Sequence, residues 1–277
     1  MKGGSFFNTI TYLKNRKEEN KMKKNDYQYY QKIKDWDFSF IQAEYESLTN
    51  WDMHQIIRAE ATKDSKILDL GTGGGEKLLK EYPEVKEILA TDYSTEMIKT
   101  AKNNLKKSGR KNITFKIMDN LNMQAIPNNY YDIISARNTE TDPKQIYNKL
   151  KKGGLLILQG VDKMDCYELK RTYGKGQGMS DPLPMSVVDY EHVLQAGFKD
   201  VELVPLHERA YYKSREDFYA LLLKTPILDD FSETDNDNNE FYKTKLDDKK
   251  IAKYIKNNTS EKGIRLIRRY YGITARK

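Results

Sequence analysis

Cysteine is almost absent from this chain. Cys166 stands alone among 277 residues, which excludes an internal disulfide and any thiolate-rich zinc or iron–sulfur centre. Three histidines, His54, His192 and His207, are scattered without ligand spacing, so no metal is expected. No apolar run approaches the ~20 residues of a membrane span, and the charged N-terminus lacks the apolar core of a secretory signal. These absences lead to the expectation of a cytoplasmic protein with no membrane partner. Hydrophobic residues make up only 38% of the chain, but they gather in short runs, so one domain with an appendage is expected to bury a core.

One run dominates what is present. Residues 66–76 read Lys-Ile-Leu-Asp-Leu-Gly-Thr-Gly-Gly-Gly-Glu. Ile67 to Leu70 has the pattern of a buried strand with one acid embedded. Gly71, Gly73 and Gly75 then fall on alternate positions, and only glycine adopts positive φ freely and lets a ligand touch the backbone. A strand, such a loop and a helix from Glu76 make a nucleotide pocket at the carboxyl end of a parallel sheet. A dinucleotide site wants G-x-G-x-x-G with a pyrophosphate on the helix start. Here Gly75 comes one place early and Glu76 fills the third glycine's slot. Asp69 would repel a pyrophosphate but could accept hydrogen bonds from an ammonium group. The ligand should therefore carry a nucleoside at one end and a cationic amino acid at the other, a description that S-adenosylmethionine meets.

The motif resembles motif I of the class I S-adenosylmethionine-dependent methyltransferases, and the following segments agree with it. Glu87–Asp92 is a second strand ending in an acid at about the ~20-residue spacing of a ribose-binding carboxylate. Ser94 is placed to cap the next helix. A third strand, Ile113–Met118, ends at Asp119-Asn120, where the family places an acid for the adenine amino group; an ordinary turn pair is the competing reading. A fourth strand, Tyr131–Ala136, ends at Arg137-Asn138. A helix from Pro143 to Leu150 leads to a fifth strand at Leu155–Leu158. The resemblance implies a Rossmann-like, seven-stranded, mostly parallel sheet with helices on both faces and an antiparallel last strand, residues 263–275. It implies cofactor contacts from Asp69, Gly71, Thr72, Gly73, Gly75, Asp92, Tyr93, Met97, Asp119, Asn120, Leu121 and Arg137.

The flanking segments are harder to read. The first 34 residues hold nine Lys or Arg against three acids, six of the chain's seven net positive charges. Such an arm could touch phosphates. Alternatively, Arg16 to Met22 can be encoded by a purine-rich ribosome-binding sequence before an ATG, so that residues 1–21 are a translated leader and Met22 the natural start. Residues 1–26 are expected to form a basic, disordered leader, and 27–277 the methyltransferase domain. Eight aromatics crowd between Tyr27 and Trp51. They suggest an aromatic helical lid over residues 27–60, or else helix packing on the sheet edge. The glycines at 174–178 read as a mobile loop. Residues 229–258 read as an insertion, acidic at first and ending in a basic helix from Lys245 to Asn257.

The chain is most similar to a bacterial branch of small methyltransferases that carries Trp-Asp-Phe-Ser (36–39) and Thr-Gly-Gly-Gly-Glu (72–76). Members often place Arg-His after strand four and Gln-Gln after strand five. This chain has Arg137-Asn138 and Gln159-Gly160, so a histidine base is missing and the catalytic residues stay unassigned. Tyr29, Tyr30, Arg137 and Asn138 are the candidates. A sulfonium methyl is already electrophilic, so alignment of the reactants supplies much of the acceleration. There is no Asn/Asp-Pro-Pro-aromatic sequence of the amino-methylating enzymes and no Pro-Cys nucleophile. A small-molecule acceptor is expected. RNA or protein methylation, using the basic arm, the Lys-rich helix and Arg268-Arg269, is the alternative. Cofactor binding without methyl transfer is a third reading.

Overall fold

The computed structural model describes residues 38–228 and 248–277. Its centre is a sheet of five parallel strands: β2 (Lys66–Leu70), β3 (Glu87–Asp92), β4 (Ile113–Ile117), β5 (Tyr131–Arg137) and β6 (Leu150–Val161). Ile67 and Leu68 point to opposite faces and are both fully buried, the signature of a strand covered on two sides. Three further strands extend the sheet antiparallel. They are β9 (Gly263–Arg276) beside β6, β7 (Lys199–Tyr212) beside β9, and β1 (Ala43–Ser47) beside β7. A two-residue β8 (Thr259–Ser260) folds back on β9. The spatial order is β1-β7-β9-β6-β5-β2-β3-β4. The chain leaves β2 toward β3 and β4, then returns to the other side of β2 with β5 and β6. The glycine loop after β2 therefore sits where the winding reverses, the usual place for a ligand in an open α/β sheet.

Three apolar clusters hold the layers. On one face, α1 (Met53–Glu60), α2 (Glu76–Glu81) and α3 (Thr95–Ser108) cover Ile67, Ile88, Ile133 and Ile157. Their starts follow local chemistry: Asp52 accepts from Gln55 N at 2.8 Å and Ser94 accepts from Met97 N at 3.3 Å, each supplying an N-cap. On the other face, α4 (Pro143–Lys149) precedes β6, and Ile146 packs with Val193 and Phe198 against Leu68, Ile134 and Leu156. A third cluster lies under the antiparallel extension. There α5 (Tyr167–Tyr173), α7 (Arg215–Lys224) and α8 (Lys249–Asn258) surround Phe218, Leu222 and Leu266. The remaining helix is α6 (Met185–Gln195).

The fold class is the expected one, with β1 and β8 added beyond seven strands. The segment expected as a helical lid differs. Residues 43–47 are extended, because they pair in register with Glu208–Tyr212 and complete the sheet edge, and the helix runs from Met53 to Glu60. The Lys-rich helix begins at Lys249, and Ile251 and Tyr254 bury it in the third cluster, so it belongs to the domain. The 174–178 loop is tethered: Lys170, itself buried, donates from Nζ to Lys163 O at 2.8 Å and Gln177 O at 2.7 Å. The leader, Tyr29, Tyr30 and residues 229–247 lie outside the described residues.

Candidate functional site

The glycine loop turns three times through left-handed backbone. Gly71, Gly73 and Gly75 have φ of +72°, +59° and +78°, conformations that L side chains resist. Close approach adds to this. A Cβ on Gly71 would fall 2.6 Å from the Thr139 side chain, and one on Gly75 would fall 2.8 Å from the Phe115 ring. Gly75 thus does the helix–sheet packing that a dinucleotide motif assigns to its third glycine. The loop is tied to β3: Thr72 N donates to Thr91 O at 2.9 Å and Gly73 N to Asp92 Oδ2 at 2.9 Å. Asp92 Oδ1 accepts from Ser94 N at 2.8 Å. Burial raises the Asp92 carboxyl above its ordinary value, while the N–H groups of Ser94, Gly73 and Tyr93 oppose that shift. At the start of α2, Asn104 Nδ2 bonds Glu76 Oε1 at 3.2 Å and Gly74 O at 2.9 Å. A carboxylate fixed there disfavours a pyrophosphate.

Asp69 lies deeper than a surface acid. Alternation along β2 puts it on the same face as Ile67, toward α1 and α2. It pairs in register with Ser135 of β5. Its Oδ1 accepts from Tyr82 Oη at 2.6 Å and from Ser135 Oγ at 2.9 Å. The Thr72 hydroxyl is buried close enough to favour the ionised form without closing a full hydrogen bond of its own. Burial dominates and raises the Asp69 carboxyl; Tyr82, Ser135, Thr72 and the positive charge of Arg137 pull it back. Tyr82 also meets the ring of His54 edge-on, with centroids 5.9 Å apart. His54 is held toward its neutral form first by burial and then by Arg137. Tyr82, Ser135 and His54 escape a motif-based reading. Only the register of β2 with β5 and the return of α2 bring them to Asp69.

The other expected positions divide. Asp119 is exposed at the end of β4, with Oδ1 accepting from Leu121 N at 2.8 Å. Tyr93 and Leu121 flank that end as exposed apolar surfaces, 40% and 37% accessible. Asn120 is buried and structural in its bonding: Nδ2 donates to Thr139 Oγ1 at 3.0 Å and Oδ1 accepts from Thr91 Oγ1 at 3.3 Å. Met97 is 2% accessible and packed against the core, so its side chain is closed off. Arg137 sits half-buried near Asp69. Asn138 is exposed in left-handed backbone with φ +53°, and its N–H bonds Gln159 O at 2.7 Å.

Beyond Thr139 a crevice opens at the carboxyl ends of β5 and β6. Thr141, Gln159, Asp189 and Tyr271 line it. The Tyr271 hydroxyl donates to Asp189 Oδ2. Gly160 is required beneath it, since a Cβ there would strike the Tyr271 ring. Thr139 is shared, facing Gly71 on one side and lining the crevice on the other. Trp51, from the aromatic segment, lies flat against Gly272, whose register partner is Gln159. Trp51 packs against the first cluster and Phe38 against the third, each from outside any helix. Arg268 forms a buried ion pair with Asp165 at 3.0 Å, and Arg269 a partly exposed one with Glu168 at 2.8 Å. Among the described residues no cluster of His, Cys, Asp and Glu could hold a metal, and no helix is long and apolar enough to cross a membrane.

Comparison with known proteins places this geometry. A family model described as a methyltransferase domain matches residues 61–200. Demethylmenaquinone methyltransferases from two serovars of Leptospira interrogans are 27% identical over 190 residues, covering 55% of this chain and 76% of theirs. Among solved structures, a candidate methyltransferase from Bacillus halodurans is 18% identical with a TM-score of 0.54, covering 82% of this chain and 98% of that one. The [4+2]-cyclase SpnF is 16% identical with a TM-score of 0.50, covering 81% and 80%. At such identities the structural likeness carries the fold alone, and SpnF is named for a reaction other than methyl transfer.

Proposed function

The chain belongs to the methyltransferase-domain family, and from that premise we propose that this S-adenosylmethionine-dependent enzyme methylates a small-molecule acceptor. The observation that carries the reading is the row of acids at the carboxyl ends of β2, β3 and β4, beside a glycine loop whose helix start is closed to a pyrophosphate by Glu76. These residues fit the cofactor as a sequence of matched ends. Asp69 faces the amino-acid end, with Oδ1 occupied by hydroxyl donors and Oδ2 left for an ammonium group. Asp92 accepts from ribose hydroxyls. Asp119 accepts from the adenine amino group between Tyr93 and Leu121. Gly71 and Gly73 let the ligand touch the backbone.

The cofactor supplies a methyl group on a positively charged sulfur. Bound there, it would pass that methyl to a nucleophilic acceptor and leave as the neutral thioether. The protein's part is alignment and exclusion of water. The demethylmenaquinone methyltransferases lend weight to a quinone-type ring as the acceptor class. RNA methylation loses support, because Arg268 and Arg269 are engaged in ion pairs with Asp165 and Glu168.

The test is turnover. Purified protein with S-adenosylmethionine and a panel of phenols, hydroquinones and small amines should yield S-adenosylhomocysteine and a methylated product. Product with RNA or protein alone would overturn the small-acceptor reading. Asp92→Ala should weaken cofactor binding by about 1–3 kcal/mol through lost charge-assisted bonds, and calorimetry at wild-type affinity would remove Asp92 from the site.

A further inference from the structure

We propose that Tyr82 and Ser135 are positioning residues for the amino-acid end of the cofactor, acting through Asp69; the inference rests on the cofactor reading above. Both hydroxyls converge on one oxygen of one buried carboxylate. Tyr82 Oη lies 2.6 Å and Ser135 Oγ 2.9 Å from Asp69 Oδ1, and the two hydroxyls lie 2.9 Å from each other. Asp69, Ser135 and Tyr82 are all nearly inaccessible. Two donors on Oδ1 fix the carboxylate plane and leave Oδ2 as the oxygen available to a cation beside the glycine loop. The arrangement is built from three separate elements: Asp69 near the end of β2, Ser135 opposite it on β5, and Tyr82 just past α2, where its N–H closes the helix on Leu78 O. The ring of Tyr82 is packed in the first apolar cluster, so its hydroxyl has one place to point.

The two hydroxyls also favour the charged form of Asp69 against the effect of burial. Burial disfavours the carboxylate, and an ammonium group is bound well only by the ionised form. The groups facing it are Tyr82 from the end of α2, Ser135 and Arg137 from β5, and Thr72 from the loop. His54 of α1 faces Tyr82 from behind and is itself surrounded by Arg137, Asp52, Glu81 and Lys77. Removing either hydroxyl takes away a bond made to the charged form. The Asp69 carboxyl then shifts upward, and the acid limb of cofactor binding moves to higher pH. Protonation of His54 acts with the opposite sign, adding positive charge near the relay, and it is common to wild type and variants.

The experiment compares two ligands on the full-length protein by calorimetry across pH 4.5–8. S-adenosylmethionine carries the amino-acid end; 5′-methylthioadenosine has the same nucleoside without it. Tyr82→Phe and Ser135→Ala preserve packing and remove only the hydroxyls. Each is expected to weaken S-adenosylmethionine about five- to tenfold at pH 7, to move its acid limb upward, and to leave 5′-methylthioadenosine unchanged. In turnover the KM for the cofactor should rise while kcat at saturation persists. Equal weakening of both ligands would mean that the hydroxyls support the loop generally, and would overturn the proposal. So would variants with the wild-type affinity and pH profile. If wild-type protein bound neither ligand, the cofactor reading itself would fall and the relay with it.

Discussion

Asp69 is under two opposed demands. In the cofactor-free protein burial pushes its carboxyl above the ordinary value. Its folded-state pKa therefore exceeds the unfolded one, so its favourable contribution is complete below the unfolded pKa and is lost as pH rises through the folded pKa. Ionising Asp69 therefore costs the folded state as pH rises. Asp69→Asn keeps an oxygen for Tyr82 and Ser135 while removing the charge. It should raise the cofactor-free Tm at pH 7 by about 1–4 °C, a gain that fades toward pH 3, and should weaken S-adenosylmethionine at least about tenfold. Thermal scans at both pH values check the first outcome and calorimetry the second. A lowered Tm at pH 7 would contradict the burial argument. The acid's presence was legible in the strand-to-glycine motif. Its partners were not, because Tyr82 and Ser135 lie 13 and 66 residues away, in segments without a motif.

At the scale of elements, turns and caps were the most legible parts. Ser94 was readable as a cap from sequence, and Ser214 at the start of α7 forms a full capping box: Asp217 N donates to Ser214 Oγ at 3.0 Å and Ser214 N donates to Asp217 Oδ2 at 3.1 Å. The other Asp217 oxygen accepts from Gln42 N at 2.8 Å, tying the approach to β1 onto the same turn. That second use was not legible, since it joins residues 175 apart. Asp217→Ala should therefore cost more than a cap alone, about 1–2 kcal/mol. Urea unfolding should show a lower midpoint with an unchanged slope, and a shift no larger than that of Ser214→Ala would place Gln42 outside the energetics. The strand at 43–47 was missed for a related reason. Ala43–Ser47 carries one aromatic, Tyr45, and suits a helix or a strand equally; edge pairing with β7 decided between them.

For the whole molecule, the antiparallel extension is held to the segment after β6 by charge as well as by its apolar cluster. Asp165 is 3% and Arg268 12% accessible at the side chain, bonded at 3.0 Å, and Arg269 N adds a bond to Asp165 Oδ1 at 2.8 Å. Asp165→Ala would leave Arg268 buried without its counter-charge, a loss of about 3–5 kcal/mol. Chemical denaturation should show it, while the nucleoside end of the site, at the far side of β2, should still bind 5′-methylthioadenosine below the transition. Read as exposed charge, Arg268-Arg269 suggested a nucleic-acid surface. Folding turns both toward carboxylates that precede them by about a hundred residues.

The sequence by itself determined the strand–loop–helix at 66–81, the acids that end β2, β3 and β4, and the parallel sheet that lines them up. Each depends on neighbours in the chain: positive φ at glycine, burial on both strand faces, caps at helix starts. The tertiary structure decided what surrounds those acids. Register placed Ser135 opposite Asp69, the end of α2 delivered the Tyr82 hydroxyl, Thr139 joined the glycine loop to the crevice, and Asp165 and Glu168 engaged Arg268 and Arg269 in ion pairs. Contacts of that kind depend on how elements pack and in what register, and no local pattern encodes them.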